Sequence, residues 1–149
     1  MTRDVMVSVS GIHTVDGESG DVAVVTSGIY YKKNGKHYII YDEFQEGLER
    51  PIRCTIKLYD QKAEIIRGGD VRAHMEFEVG KTTVNCYSTP FGEIILTIST
   101  FDMEVREEED SVRAEILYSL EMNSVKTSDS RVVIEARSKQ IREEDRDGE

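Results

Sequence analysis

The chain has 149 residues, 38% of them hydrophobic and 32% charged, with a net charge of -10. That length supports one domain with a real core, and that mixture excludes a disordered or membrane-embedded chain. The negative field also works against nucleic acid, whose binding needs clustered Lys and Arg to release counterions.

Alternation of apolar and polar residues is the signal along almost the whole chain. Val5, Val7 and Val9 alternate with Met6, Ser8 and Ser10, predicting a first strand to about His13. Polar residues interrupt the apolar positions of the first eleven residues, so neither a signal-peptide core nor a spanning helix is expected, and a cytoplasmic protein is the default. Asp16 to Gly20 is a turn cluster. A second strand runs from about Asp21 to Lys32, interrupted at Ser27-Gly28, where a bulge or bend is expected. Asn34-Gly35 tolerates the positive φ angles of a type I′ turn, and strand three, Lys36 to Phe44, closes the hairpin.

After a polar loop and Pro51, strand four places Ile52, Cys54, Ile56 and Leu58 on one face. Ala63 to Arg67 is a short fifth strand, and Gly68-Gly69-Asp70 turns the chain. Strand six alternates Val71, Ala73, Met75, Phe77 and Val79 with Arg72, His74, Glu76 and Glu78. Strand seven spans Thr82 to Thr89, and Pro90-Phe91-Gly92 breaks it. Strand eight runs from Glu93 to about Val105. Strand nine runs from Ser111 to about Val125, with Val112, Ala114, Ile116, Tyr118, Leu120 and Met122 inward. A Lys126 to Ser130 loop leads to strand ten, Arg131 to Arg137. The domain is expected to cover residues 1–138. The charged tail from Lys139 to Glu149 has no apolar stripe and is expected to be disordered.

Consecutive strands with short links imply antiparallel neighbours, because parallel pairs need long crossovers. Strand nine alone would measure roughly 50 Å if straight, too long for a domain of this size, so the long strands must coil. An open sheet of about ten strands would leave exposed edges, and closure removes them. The expected fold is therefore all-β: a single antiparallel up-and-down barrel of about ten strands, wide enough for a cavity unless bulky side chains fill it.

Four segments occur in an order and spacing that resemble a known family: Tyr38-Ile39-Ile40-Tyr41-Asp42-Glu43, Ile66-Arg67-Gly68, Met75-Glu76-Phe77 and Tyr87-Ser88-Thr89-Pro90-Phe91-Gly92. The sequence is similar to the YwiB-like family of small bacterial proteins, catalogued as a domain of unknown function, over nearly its whole length. The resemblance implies a lipocalin-like (calycin) barrel. It implies no activity, so no catalytic residue is transferred from it.

Candidate chemistry centres on Tyr41, Asp42, Glu43, Arg67, His74 and Tyr87. Alternation puts Asp42 with Tyr38 and Ile40, and Glu43 with Ile39 and Tyr41 on the other face. Arg67 continues the face of Ala63 and Ile65. If that face is inner, Arg67 sits at the barrel rim and needs a carboxylate, supplied by Asp42 or Glu43. The pair then either closes the barrel structurally or anchors an acidic ligand. Seven tyrosines and no tryptophan suit both cavity walls and ordinary sheet packing. His13, His37 and His74 have no ligand-like spacing, so no metal and no cofactor is expected. Cys54 and Cys86 read as two buried reduced thiols.

The leading functional expectation is binding of a small, partly apolar or anionic ligand, without catalysis. One alternative is an interaction protein or homodimer with a filled barrel. Its contact surface would use Ile39, Tyr41, Ile95 and Leu117, which lie opposite the main apolar stripes. The second alternative is an enzyme using Glu43, His74 or Tyr87.

Overall fold

The structure, a computed structural model, describes residues 1–15, 18–44 and 46–139. The expected Asp16-Gly17 turn and the tail from residue 140 onward lie outside them. Ten strands make up the regular structure of the described residues: β1 (Asp4–Val15), β2 (Glu18–Lys33), β3 (Lys36–Glu43), β4 (Ile52–Tyr59), β5 (Lys62–Gly68), β6 (Arg72–Glu78), β7 (Thr82–Thr89), β8 (Gly92–Glu108), β9 (Ser111–Met122) and β10 (Val125–Ser138). Each pairs antiparallel with its sequence neighbours, and β1 also pairs with β10, closing an up-and-down barrel. Pairing of β1 with β10 removes the two outer edges that an open sheet of these strands would carry. Among the described residues no helix is long and apolar enough to cross a membrane.

Local chemistry sets the turns. Asn34 and Gly35 both have positive φ, 54° and 78°, as the tight β2–β3 hairpin requires. Asn123 and Ser124 do the same between β9 and β10, at 50° and 73°. The chain therefore turns at Asn123, and the expected Lys126 to Ser130 loop is instead the start of β10, with a register shift between Lys126 and Ser128. Glu18 to Gly20, expected in a turn, belong to β2, which pairs with β1 as far as Val15↔Glu18.

The β2 ladder runs through Gly28 without a bulge, Val5 on one side and Tyr41 on the other. The glycine serves close approach instead. A Cβ built there would lie 2.6 Å from Val7 Cγ2 and 2.7 Å from the Ile40 carbonyl oxygen.

Period two then fills the interior. Val5, Val7, Ile39, Ile52, Cys54, Ile56, Leu58, Ile98, Val112, Ile116 and Ile134 are fully buried. Removing each such side chain from water contributes about 1.5–3 kcal/mol before entropy is counted. Ile39 and Tyr41 belong to this core, which corrects their assignment to an outer contact surface. Register explains it: Ile39 pairs with Ile56, and Tyr41 with Cys54, on the inner face of β4. Ile95 and Leu117 do face outward and are exposed. Cys86 is exposed as well, contrary to the expectation of two buried thiols, because it shares the outer face with its partner Ile95.

One seam is built differently. β6 and β7 share only the pairs Arg72↔Ser88 and Ala73↔Tyr87. Beyond them side chains replace the ladder. The amide of Glu76 donates to Asn85 Oδ1 at 3.1 Å, Thr83 Oγ1 donates to the Glu76 carbonyl at 2.6 Å, and Asn85 Nδ2 reaches the Leu96 carbonyl at 3.3 Å. Across the seam the Asn85 and Thr83 side chains thus stand in for backbone partners of Glu76, and the bond to Leu96 ties buried Asn85 to β8.

Candidate functional site

β3, β5 and β7 all finish at the same end of the barrel, and this brings Glu43, Arg67 and Tyr87 to one inner rim above Tyr41 and Cys54. Arg67 lies opposite Cys54 on one side and Ala73 on the other, both inner-face residues. Its Nη1 donates to Glu43 Oε1 at 2.8 Å, with 21% and 18% of the two side chains exposed. Of the two carboxylates offered by alternation, Glu43 is the partner. Asp42 points outward and accepts from Arg53 Nε at 2.7 Å.

Cys54 Sγ donates to the same Glu43 oxygen at 3.5 Å. Burial pushes the Cys54 thiol up to about 11, with Arg67 opposing and Glu43 reinforcing the rise. Burial likewise raises the Tyr41 phenol well above its ordinary value. For Arg67 burial acts to lower the pKa, but Cys54, Glu43, Tyr87 and Tyr41 together outweigh it, so the guanidinium stays charged. The pair does not exhaust Arg67. Its Nε is buried and, among the described residues, has no hydrogen-bond partner; Thr100 Oγ1, in the buried part of β8, is in the same position.

Several inward-facing residues are not sealed from solvent. Ile65, Met75, Tyr87, Tyr118 and Leu120 pack against the core yet keep partial exposure.

A family model described as a domain of unknown function (DUF1934) matches residues 7–134. The chain belongs to that family. It is 28% identical over 105 residues to the uncharacterized beta-barrel protein YwiB of Bacillus subtilis (strain 168), an overlap of 70% of this chain and 72% of that protein. The crystal structure of the ywiB protein from Bacillus subtilis has the same fold. Its TM-score is 0.80 at 24% identity, with 91% of this chain and 92% of that one covered.

In this DUF1934 barrel His74 does not join the inner rim. It lies outside, on β6, where Nε2 is 2.6 Å from Glu64 Oε1. Tyr59 donates to the other Glu64 oxygen at 2.5 Å. Burial pushes the Glu64 carboxyl up, but the bonds from Tyr59 and His74 outweigh it and hold it below its ordinary range. The Tyr59 phenol is raised, chiefly by that hydrogen bond. The expected enzyme set of Glu43, His74 and Tyr87 is thus divided by the barrel wall, two members inside and one outside.

A third polar group occupies the opposite end. Buried His37 Nδ1 lies 2.8 Å from the Tyr30 hydroxyl. Exposed Glu107 accepts from Lys32 Nζ at 3.2 Å and sits 3.8 Å from His37 Nε2. A surface cavity of about 520 Å³ beside it is lined by Met1, Arg3, Tyr30, Tyr31, Lys32 and Glu107 to Glu109. Burial lowers the His37 pKa, with Glu107 opposing.

Glu64, Tyr59 and Glu76 were absent from the candidates drawn from the sequence. The signal was present: a hairpin centred on Gly69-Asp70 puts Glu64 opposite Glu76, and His74 two residues from Glu76 shares its face.

Proposed function

We propose that this barrel binds a small, partly apolar molecule bearing a carboxylate or equivalent acceptor oxygens, at the rim formed by Glu43, Arg67 and Tyr87. One observation carries the reading: the Arg67 Nε–H is buried without an acceptor although Nη1 is engaged by Glu43. An unpaired buried donor costs about 1–3 kcal/mol, and a ligand oxygen beside it removes that cost. The apolar part of the molecule would lie against Ile65, Met75, Tyr118 and Leu120, inward-facing residues that keep partial exposure. The reading is lipocalin-like in use as well as in shape: a barrel interior that holds a small guest.

The test is native mass spectrometry of protein purified without detergent, then incubated with octanoate, with octanol as the uncharged control. Octanoate is expected to add one equivalent to the folded protein and octanol to add less. Arg67→Lys keeps a charge for Glu43 but loses the Nε donor, and is expected to lose octanoate selectivity. Equal uptake of both probes, no uptake of either, or unchanged selectivity in the Lys variant overturns the proposal.

A second reading is self-association through the outer face of β7 and β8. Val84 and Ile95 are exposed there, and Ile95 pairs with exposed Cys86. Mass that rises with protein concentration and falls in Val84→Asp would support it; a monomer at all concentrations would exclude it.

A further inference from the structure

The outer wall carries a second polar constellation that the rim does not use. Glu64 on β5 and Glu76 on β6 are directly opposite each other, and His74 lies two residues before Glu76 on the same face. One donor atom from each of Glu64, His74 and Glu76 can be chosen so that all lie within 4.8 Å of one another. Two like charges directly opposite in a sheet are unfavourable, and a cation between them reverses the sign of that term.

Two lysines border this place and offset part of that repulsion, so a bound ion competes with them. Lys57 on β4 pairs with Glu64 and acts on its carboxylate, while its ammonium also lies over the Tyr38 ring, 5.8 Å from the centroid. Lys62 reaches Glu76 Oε2 at 3.5 Å, with 28% of its own side chain and 40% of that of Glu76 exposed. Glu64 is only 11% exposed at its side chain, and its Oε2 is held by Tyr59, which fixes the direction of Oε1. Hydrogen bonding of a carboxylate ligand by an outer residue is the arrangement that orients ligands in protein metal centres.

We infer that Glu64, His74 and Glu76 form a binding site for a divalent transition-metal ion of the zinc class, with Tyr59 as the residue that positions Glu64. One imidazole nitrogen and two carboxylates suit such an ion, and three protein ligands leave one position for water. In the metal-free form His74 Nε2 and Glu64 Oε1 share a hydrogen bond at 2.6 Å. Tetrahedral bonds of about 2.05 Å place two ligand atoms about 3.3 Å apart, so these atoms separate by about 0.7 Å. His74 is 53% exposed at its side chain and is free to swing by that much. The ion takes the Nε2 lone pair, and the neutral imidazole then carries its hydrogen on Nδ1.

The test is titration with Zn²⁺, followed by native mass spectrometry, and with Co²⁺, followed by its visible d–d absorption, on the full chain under reducing conditions. One bound ion is expected, with Co²⁺ bands of four-coordinate intensity. His74→Ala and Glu76→Gln, both outside the core, are expected to abolish the stoichiometric ion while the circular dichroism is unchanged. Tyr59→Phe is expected to weaken binding by about 10- to 100-fold, the usual effect of removing a ligand-orienting partner. Cys86→Ser controls for capture by the exposed thiol and is expected to bind as the wild type does. Failure of the wild type to bind, binding that survives His74→Ala, or binding lost only in Cys86→Ser overturns the inference.

Discussion

Replacing Arg67 by Met tests how the inner rim is held together. The Met side chain fills similar space without charge, so Glu43 keeps its place while losing a donor 2.8 Å away. Breaking a buried pair by removing one partner costs about 3–5 kcal/mol, because the remaining charge is stranded. Both side chains retain about a fifth of their exposure, so water softens the penalty, and the lower end of that range, on the order of 3 kcal/mol, is expected. At roughly 2–4 °C per kcal/mol for a domain of this size, the midpoint of thermal unfolding falls by roughly 6–12 °C. Glu43→Leu in the same background removes the carboxylate that has lost its guanidinium, and the double variant should return to within about 1 kcal/mol of the wild type. The assay is urea unfolding of the wild type, both single variants and the double variant, with the slope checked for constancy. An Arg67→Met variant within about 0.5 kcal/mol of the wild type would refute the reasoning, as would a double variant no better than the single one.

Gly28→Ala should cost about 1–3 kcal/mol through overpacking, since a Cβ meets Val7 Cγ2 at 2.6 Å and the Ile40 backbone oxygen at 2.7 Å. Gly68→Ala, with open space around its Cβ, is the matched control and should be neutral or slightly stabilising in the same urea measurement. A thiol reagent should titrate one cysteine in the native protein, exposed Cys86, and a second only in denaturant. Cys54 is buried and its thiol is pushed up to about 11, so little thiolate forms; two fast equivalents in the native state would contradict this. His37 is held below its ordinary value of 6.5 by burial, so the unfolded chain takes up a proton there that the folded chain resists. Stability should therefore decline as pH falls below about 6.5, and His37→Gln should flatten unfolding free energy across that window. The Glu64 contribution has its own window: a folded pKa held below 4.5 adds stability above that pH, lost on further acidification.

Much of the architecture was legible because its causes are local. Strand alternation follows from the pleat, and the Asn34-Gly35 turn follows from the φ angles those two residues tolerate. Strands three, four and seven lie almost where the sequence puts them. The misplaced β9–β10 turn has a local cause too. Asn123-Ser124 is a weaker turn signal than Asn-Gly, and the polar run after it looks like a loop although it pairs with β9.

The candidate site was legible only in its chemistry. Residue types and spacing alone determined that this is an all-β meander, that its strands close on themselves, and that a rim arginine needs a carboxylate. Only the tertiary structure decided which carboxylate. Both faces of β3 are apolar enough to be inner, and pairing of Ile39 with Ile56 and Tyr41 with Cys54 turns Glu43 toward Arg67 and Asp42 toward Arg53. The same register sends His74 outside to Glu64, away from Glu43 and Tyr87. A strand's period says which residues share a face; which face is buried is set by neighbours distant in sequence, and exists only once the barrel has closed.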